Sequence, residues 1–454
     1  MALNRAATEK DWTRGSVFYN LLLLSWPAVV SQTLNMIGPT VDMIWVGKLG
    51  AAAIAGVGIS GMAITMVNSL MMGLFTGVRA MIARFFGAGD IDGANHVAQQ
   101  AFVIGAAFSL FMALIGIFLA EPILSVFGVE ADVVAEGAAY MRIQLTGIVT
   151  MSLFMMAQST MQASGDTVTP MKIAVLFRIF HVILCPLLIF GTWIFPEMGV
   201  SGAAVTNVIS QGIGAVIGLW VLFRGHTRIR LTLKGFRLDK SIIWRLVRIG
   251  LPASISGVHR MSIHLVLVWF MAPFGTAALA AHSLVQRVDT FVQTPSAGLG
   301  QSSGILAAQN LGAGQPDRAE KSGWMAVGLF TVLAVVISVA IWFWGDYVVR
   351  IFSTEPEIVE IAFGFLRIQT VGYLMFGLAV GISLCVEGVG DTLFTMIITL
   401  ISMWAIQVPL AGYLPQFVEP GYNGVRWAMV IALAFRAVTY GVYFRMGRWK
   451  RRKV

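Results

Sequence analysis

About twelve apolar stretches, each long enough to cross a bilayer as a helix and separated by short polar connections, leave this chain few folds. They fall near residues 18–47, 52–78, 97–120, 133–160, 170–194 and 199–223, and then 246–272, 277–304, 321–345, 358–386, 393–416 and 424–446. With 57% hydrophobic against 12% charged residues, a soluble globular domain is excluded. The reading is an all-α, multi-pass integral membrane protein. Its N-terminus is polar, without a small-residue cleavage site, so the first span is expected to stay as an anchor.

The sequence also repeats at one offset. Pro27 matches Pro252, Gly50 matches Gly275, Arg142-Ile143-Gln144 matches Arg367-Ile368-Gln369, and Gly165-Asp166-Thr167 matches Gly390-Asp391-Thr392, always 225 residues apart. Polar triplets at a constant spacing are not what chance similarity among apolar helices produces. Six spans per half is an even number, so the halves enter the membrane in the same direction and form two parallel six-helix repeats, each a lobe. The expected organisation is an N-terminal segment (1–17), a first lobe (18–223), a basic linker (224–245), a second lobe (246–446) and a basic tail (447–454). Residues 239–248 of the basic stretch are expected to form a short interfacial helix.

The net charge of +9 comes mostly from eight basic residues between Arg224 and Arg248 and from the tail, juxtamembrane places where Lys and Arg set topology, so nucleic acid is not the implied partner. Acidic residues such as Glu130, Glu136, Glu357 and Glu419 gather on the other side, with Lys48, Arg350 and Arg426 as basic exceptions. Both termini are thereby placed in the cytoplasm. The two cysteines, Cys185 and Cys385, suggest neither a disulfide framework nor a metal site.

Charge inside the spans is the functional signal. Asp42 lies within the first span, where a buried acid costs at least ~2.5–3.5 kcal/mol and usually faces a bundle interior or aqueous cavity. Asn35 is two turns away on the same face, and Pro39 between them cannot bond the Asn35 carbonyl, which marks a hinge and a free oxygen. The second lobe carries no equivalent acid, since Arg260 and Leu267 stand at the matching positions. It has instead a polar network of Arg260, His264, His282, Gln286, Asp289 and Glu387, with Arg287 alongside, expected to neutralise one another or to relay protons. Two lobes with a midplane site are the plan of a secondary transporter, and no nucleotide-binding loop or catalytic motif is present, so ion-driven transport is expected and enzymatic chemistry is not.

The segments VDMIWVGKLGAAAIAGVGIS (41–60), AQSTMQASGDTVTPM (157–171), PLLIFGTWIFPEMGVSGAAVTNVISQ (186–211) and GLGQSSGILAAQNLGAGQPDRAEKSGW (298–324) resemble the multidrug and toxic compound extrusion (MATE) transporters over essentially the whole chain. That resemblance implies a V-shaped pair of six-helix lobes exporting amphipathic, often cationic compounds in exchange for H+ or Na+, without a cofactor or resident metal. A monomer in the bacterial plasma (inner) membrane is expected, with small-molecule substrates and the lipid bilayer as its partners. Asp42 matches the family's coupling acid and Thr206 a nearby threonine. Where many members read Asn-x-x-x-Asp, this chain reads His181-Val-Ile-Leu-Cys185, which favours H+ over Na+ with His181 as partner, because sodium prefers oxygen ligands. The alternative function is a flippase or exporter of a lipid-linked or anionic amphipathic molecule.

Overall fold

The structure, a computed structural model, describes residues 10–126 and 128–452. The first nine residues and the last two of the tail lie outside them. Among the described residues there are helices and loops but no strand. The rods are α1 (Val17–Val46), α2 (Ala51–Gly87), α3 (Ile91–Ser125), α4a (Ala131–Thr146) with α4b (Ile148–Ala163), α5 (Val168–Phe190), α6 (Val200–Arg224), α7 (Lys240–Met271), α8 (Thr276–Gly312), α9 (Pro316–Arg350), α10 (Pro356–Gly388), α11 (Thr392–Gln416) and α12 (Tyr422–Met446).

Ten of these are long and apolar enough to cross a membrane. The two others have local reasons. The fourth rod breaks at Gly147 into pieces of 16 residues, each short of a full span. The eighth carries His282, Gln286, Asp289 and Gln293 along its length. Residues 239–248 do not form a separate interfacial helix. From Lys240 onward they are the first turns of α7, which runs unbroken into the seventh span.

The chain forms two compact units. One is built on Trp26–Leu251, the other on Trp12–Ser25 together with the chain from Pro252 onward. The divisions fall inside α1 and α7, beside Pro27 and Pro252, rather than in the loops. Each proline carbonyl accepts a bond from a serine hydroxyl four residues on, Ser31 at 2.9 Å and Ser256 at 3.0 Å. Such back-bonding, next to a missing main-chain N–H, favours a bend at both places.

In the first unit, α2 and α4a cross at Gly56 and Gly137. A Cβ on Gly56 would come within 2.8 Å of the Gly137 nitrogen, and one on Gly137 within 2.9 Å of the Gly56 carbonyl. In lipid no hydrophobic gain separates helix–helix from helix–lipid contact, so this close backbone approach and its dispersion energy hold the helices together. The second unit repeats the device where α8 meets α10. A Cβ on Gly388 would lie 2.4 Å from the Gly304 Cα.

The second unit also encloses a charge pair. Asp289 of α8 is buried, accepts a 2.6 Å hydrogen bond from the Tyr373 hydroxyl of α10, and lies 4.0 Å from a guanidinium nitrogen of Arg426 on α12. Arg426 is fully buried, donates to the His282 carbonyl at 3.1 Å, and stacks its guanidinium 4.8 Å from the Phe365 ring centre. For Asp289 the cation at hand is Arg426 rather than Arg260 or Arg287, both of which are exposed. Arg260 and Glu387 interact instead with Tyr440. His264 and His282 stack with ring centres 6.0 Å apart, and neither ring nitrogen of the buried His282 has a hydrogen-bond partner among the described residues.

Two stability outcomes are expected from thermal unfolding of the purified protein in detergent. Gly388→Val, which forces α8 and α10 apart, should cost about 1–3 kcal/mol as overpacking does. Arg426→Met should cost about 3–5 kcal/mol by stranding the Asp289 charge, and adding Asp289→Asn should recover most of it. No recovery in the double variant would mean that the pair is not coupled.

Candidate functional site

Asp42 sits near the end of α1, on the face that meets α5 and α6. Only 4% of its surface is exposed. Cys185, which reaches the acid, belongs to a buried apolar cluster with Val46 of α1, Ala53 and Val57 of α2, Tyr140 of α4a, Ile189 of α5, and Ala203 and Ala204 of α6.

Three side chains reach the acid itself. The Asn207 amide on α6 donates to Oδ2 at 2.7 Å, and the Cys185 thiol on α5 donates to Oδ1 at 3.4 Å. His181, one turn before Cys185 and fully buried, brings Nε2 within 3.2 Å of Oδ1. That contact has the length of an ion pair without the alignment of a hydrogen bond, since neither ring nitrogen of His181 has an aligned partner. An imidazole beside a carboxylate is a group that can take up a proton or pass one on.

Arg178 lies on the same face of α5, three residues before His181. Its guanidinium packs against Gly38 of α1, where a Cβ would come within 1.9 Å of Nη1, so glycine is what admits it. From there it interacts electrostatically with Asp42, four residues along α1. Arg178, His181 and Cys185 thus line up against Gly38 and Asp42.

The chemistry of this donor set is specific. The groups facing the carboxylate oxygens are an amide N–H, a thiol and an imidazole nitrogen, and the Asn207 nitrogen is fixed in orientation by a second acceptor, the Ala203 carbonyl at 3.3 Å. Hydrogen-bond donors and imidazole suit a carboxylate that exchanges a proton; a sodium ion would need several oxygens turned inward.

Of the residues the sequence points to, His181 is beside Asp42 and the others are not. Asn35 bonds Gln32 at 3.2 Å. The Thr206 hydroxyl, though buried, donates to the Gly202 carbonyl at 2.7 Å, and its neighbour Asn207, rotated 100° around the helix, reaches the acid instead. Pro39 lies inside a helix that continues through it. The second-lobe residues lie in the separate groups described above, with Gln286 half-buried on α8 between His282 and Asp289. Arg178 and Asn207 had no signal of their own in periodicity, although a lone arginine in an apolar span is the kind of residue that needs a partner.

Comparison with known proteins follows the same organisation. The MatE family model matches residues 27–187 and again 252–412, and both ends of the two segments differ by the 225 residues of the internal repeat. Over its whole length the chain is similar to the probable multidrug resistance protein YoeA of Bacillus subtilis, 27% identical across 98% of this chain and 97% of that protein. The probable multidrug resistance protein NorM of Thermotoga maritima is 26% identical, across 96% and 93%. A FAD transporter of Shewanella oneidensis is 23% identical, across 90% of both. Among solved structures, an outward-facing multidrug resistance MATE transporter superposes with a TM-score of 0.90 at 21% identity, covering 96% of both chains, and a MOP superfamily transporter from Pyrococcus furiosus with 0.89. Such identities carry the fold, two six-helix lobes, while the family model spans most of each lobe. The chain is a multi-pass membrane transporter of the MatE family.

Proposed function

We propose that this protein is a multidrug efflux antiporter of the bacterial plasma membrane, with both termini cytoplasmic, that exports amphipathic, often cationic compounds as a monomer in exchange for protons taken up at Asp42. The observation that carries this reading is a buried carboxylate contacted by an imidazole, a thiol and an amide rather than by oxygen ligands. The relatives named for multidrug resistance support the substrate class.

The cycle follows from the charge. Ionised Asp42 holds its amide and imidazole partners, and with them the α1, α5 and α6 faces. When the lobes open outward a proton reaches the carboxylate, with His181 passing it on. Neutral Asp42 no longer attracts the Arg178 guanidinium, the contact between α1 and α5 loosens, α1 bends at Pro39, and bound drug is released. Return of the proton to the cytoplasm restores the ionised pair.

A second reading has its own observation. Arg178 places a permanent cation on the α1–α5 contact, and a relative is a FAD transporter. An anionic amphipathic substrate, or a lipid-linked one, is the class it would fit.

Proteoliposomes loaded with a fluorescent cationic dye decide between these. Export by the native protein is expected under a proton gradient and not under a sodium gradient, to fall to background in Asp42→Asn, and to slow about 10²-fold in His181→Gln. Sodium-driven export that survives Asp42→Asn would overturn the coupling assignment. No dye export under either gradient, with export of flavin dinucleotide in its place, would favour the anionic substrate.

A further inference from the structure

The segment between α6 and α7 is tied down by its backbone and left open by its side chains. Asn95 of α3 holds Thr232 twice, its amide donating to the threonine hydroxyl at 3.1 Å and its carbonyl accepting from the Thr232 N–H at 3.1 Å. The Gln99 amide donates to the Thr232 carbonyl. Gln100 donates to the Arg237 carbonyl at 2.8 Å and accepts from the Asp239 N–H at 3.1 Å. Asp239 then caps α7 by accepting from Ser241 and Ile242, and lies 3.5 Å from His96. The Ile242 N–H, ahead of the other contacts, holds the Asp239 carboxyl below its ordinary range.

With the main chain drawn onto α3, the side chains project away. Leu233, Phe236, Leu238 and Trp244 are 66%, 43%, 58% and 65% exposed. Between them stand Lys234, Arg237, Lys240 and Arg245, all exposed. Leu233, Phe236 and Leu238 lie in the connection between two apolar spans, α6 and α7, and Trp244 in the first turns of α7. A surface of alternating large apolar and cationic side chains at that level matches the acyl-chain boundary with its anionic headgroups.

The segment that follows α12 is built differently. After α12, Trp449 is fully buried and stacks on Phe444 with ring centres 4.7 Å apart, while Lys450 pairs with Glu320 at 2.5 Å and lies 3.6 Å from Asp317. There the aromatic and the cation are spent on their own lobe. Between α6 and α7 the apolar side chains and the cations are left outward.

We propose that residues 233–245 form a docking surface for acidic phospholipid headgroups, with Leu233, Phe236, Leu238 and Trp244 entering the headgroup boundary and Lys234, Arg237, Lys240 and Arg245 binding phosphate. The assignment is independent of which ion drives transport. Because Asp239 caps α7, lipid held here steadies the start of that helix.

The test uses Leu238→Cys carrying a bimane label, selective because Cys185 and Cys385 are buried. The labelled protein is reconstituted in phosphatidylcholine vesicles containing either brominated phosphatidylcholine or brominated phosphatidylglycerol. Quenching is expected at lower mole fraction of the brominated acidic lipid, with the preference falling about fivefold per charge removed in Lys234→Gln, Arg237→Gln and Lys240→Gln combined singly and together. Charge-conserving Lys234→Arg, Arg237→Lys and Lys240→Arg should keep it, which separates loss of charge from loss of fold. Equal quenching by both lipids, or none by either, would overturn the proposal, the first leaving a merely apolar surface and the second a surface that water or a soluble partner covers.

Discussion

A carboxylate in the interior of a membrane bundle must be compensated, and the two lobes compensate theirs in opposite ways. Asp289 in the second faces a fully buried arginine and a tyrosine hydroxyl. Arginine keeps its proton, so the carboxyl of Asp289 faces a lasting cation and a hydroxyl donor that join α8, α10 and α12. Asp42 in the first is touched by an imidazole, a thiol and an amide, with the permanent cation Arg178 set back against Gly38. Its nearest partners are groups that donate or exchange protons rather than a lasting cation. Two halves of common fold thus hold one acid as a fastener and the other as a candidate switch.

What surrounds the acids is arranged for close but separable contact. Glycines at the α2–α4a and α8–α10 crossings bring backbones together where lipid gives no hydrophobic drive. The units divide inside α1 and α7, each beside a proline whose carbonyl is drawn to a serine one turn on. The helix that carries Asp42 therefore also carries a division between units.

The spans and the twofold repeat were legible in the sequence because they rest on composition and constant spacing, which survive any detail of packing. Asp42 was legible because a charge in an apolar run is costly wherever it points. The partners were not. Thr206 and Asn207 differ by one position and 100° of rotation, and only the docking of α6 on α1 decides which reaches the acid. Arg426 stood out as a basic residue on the acidic side of the membrane, yet nothing along the chain joins it to Asp289, 137 positions earlier. Arg178 depends on the absence of a side chain at Gly38, a cavity that no periodicity records.

The most direct test of a switchable Asp42 is the proton itself. Detergent-solubilised protein in weak buffer with a pH indicator, held where Asp42 is partly protonated, should release protons when a cationic substrate is added, and Asp42→Asn should release none while Asp289→Asn, if folded, behaves as native. Undiminished release from Asp42→Asn would contradict the account.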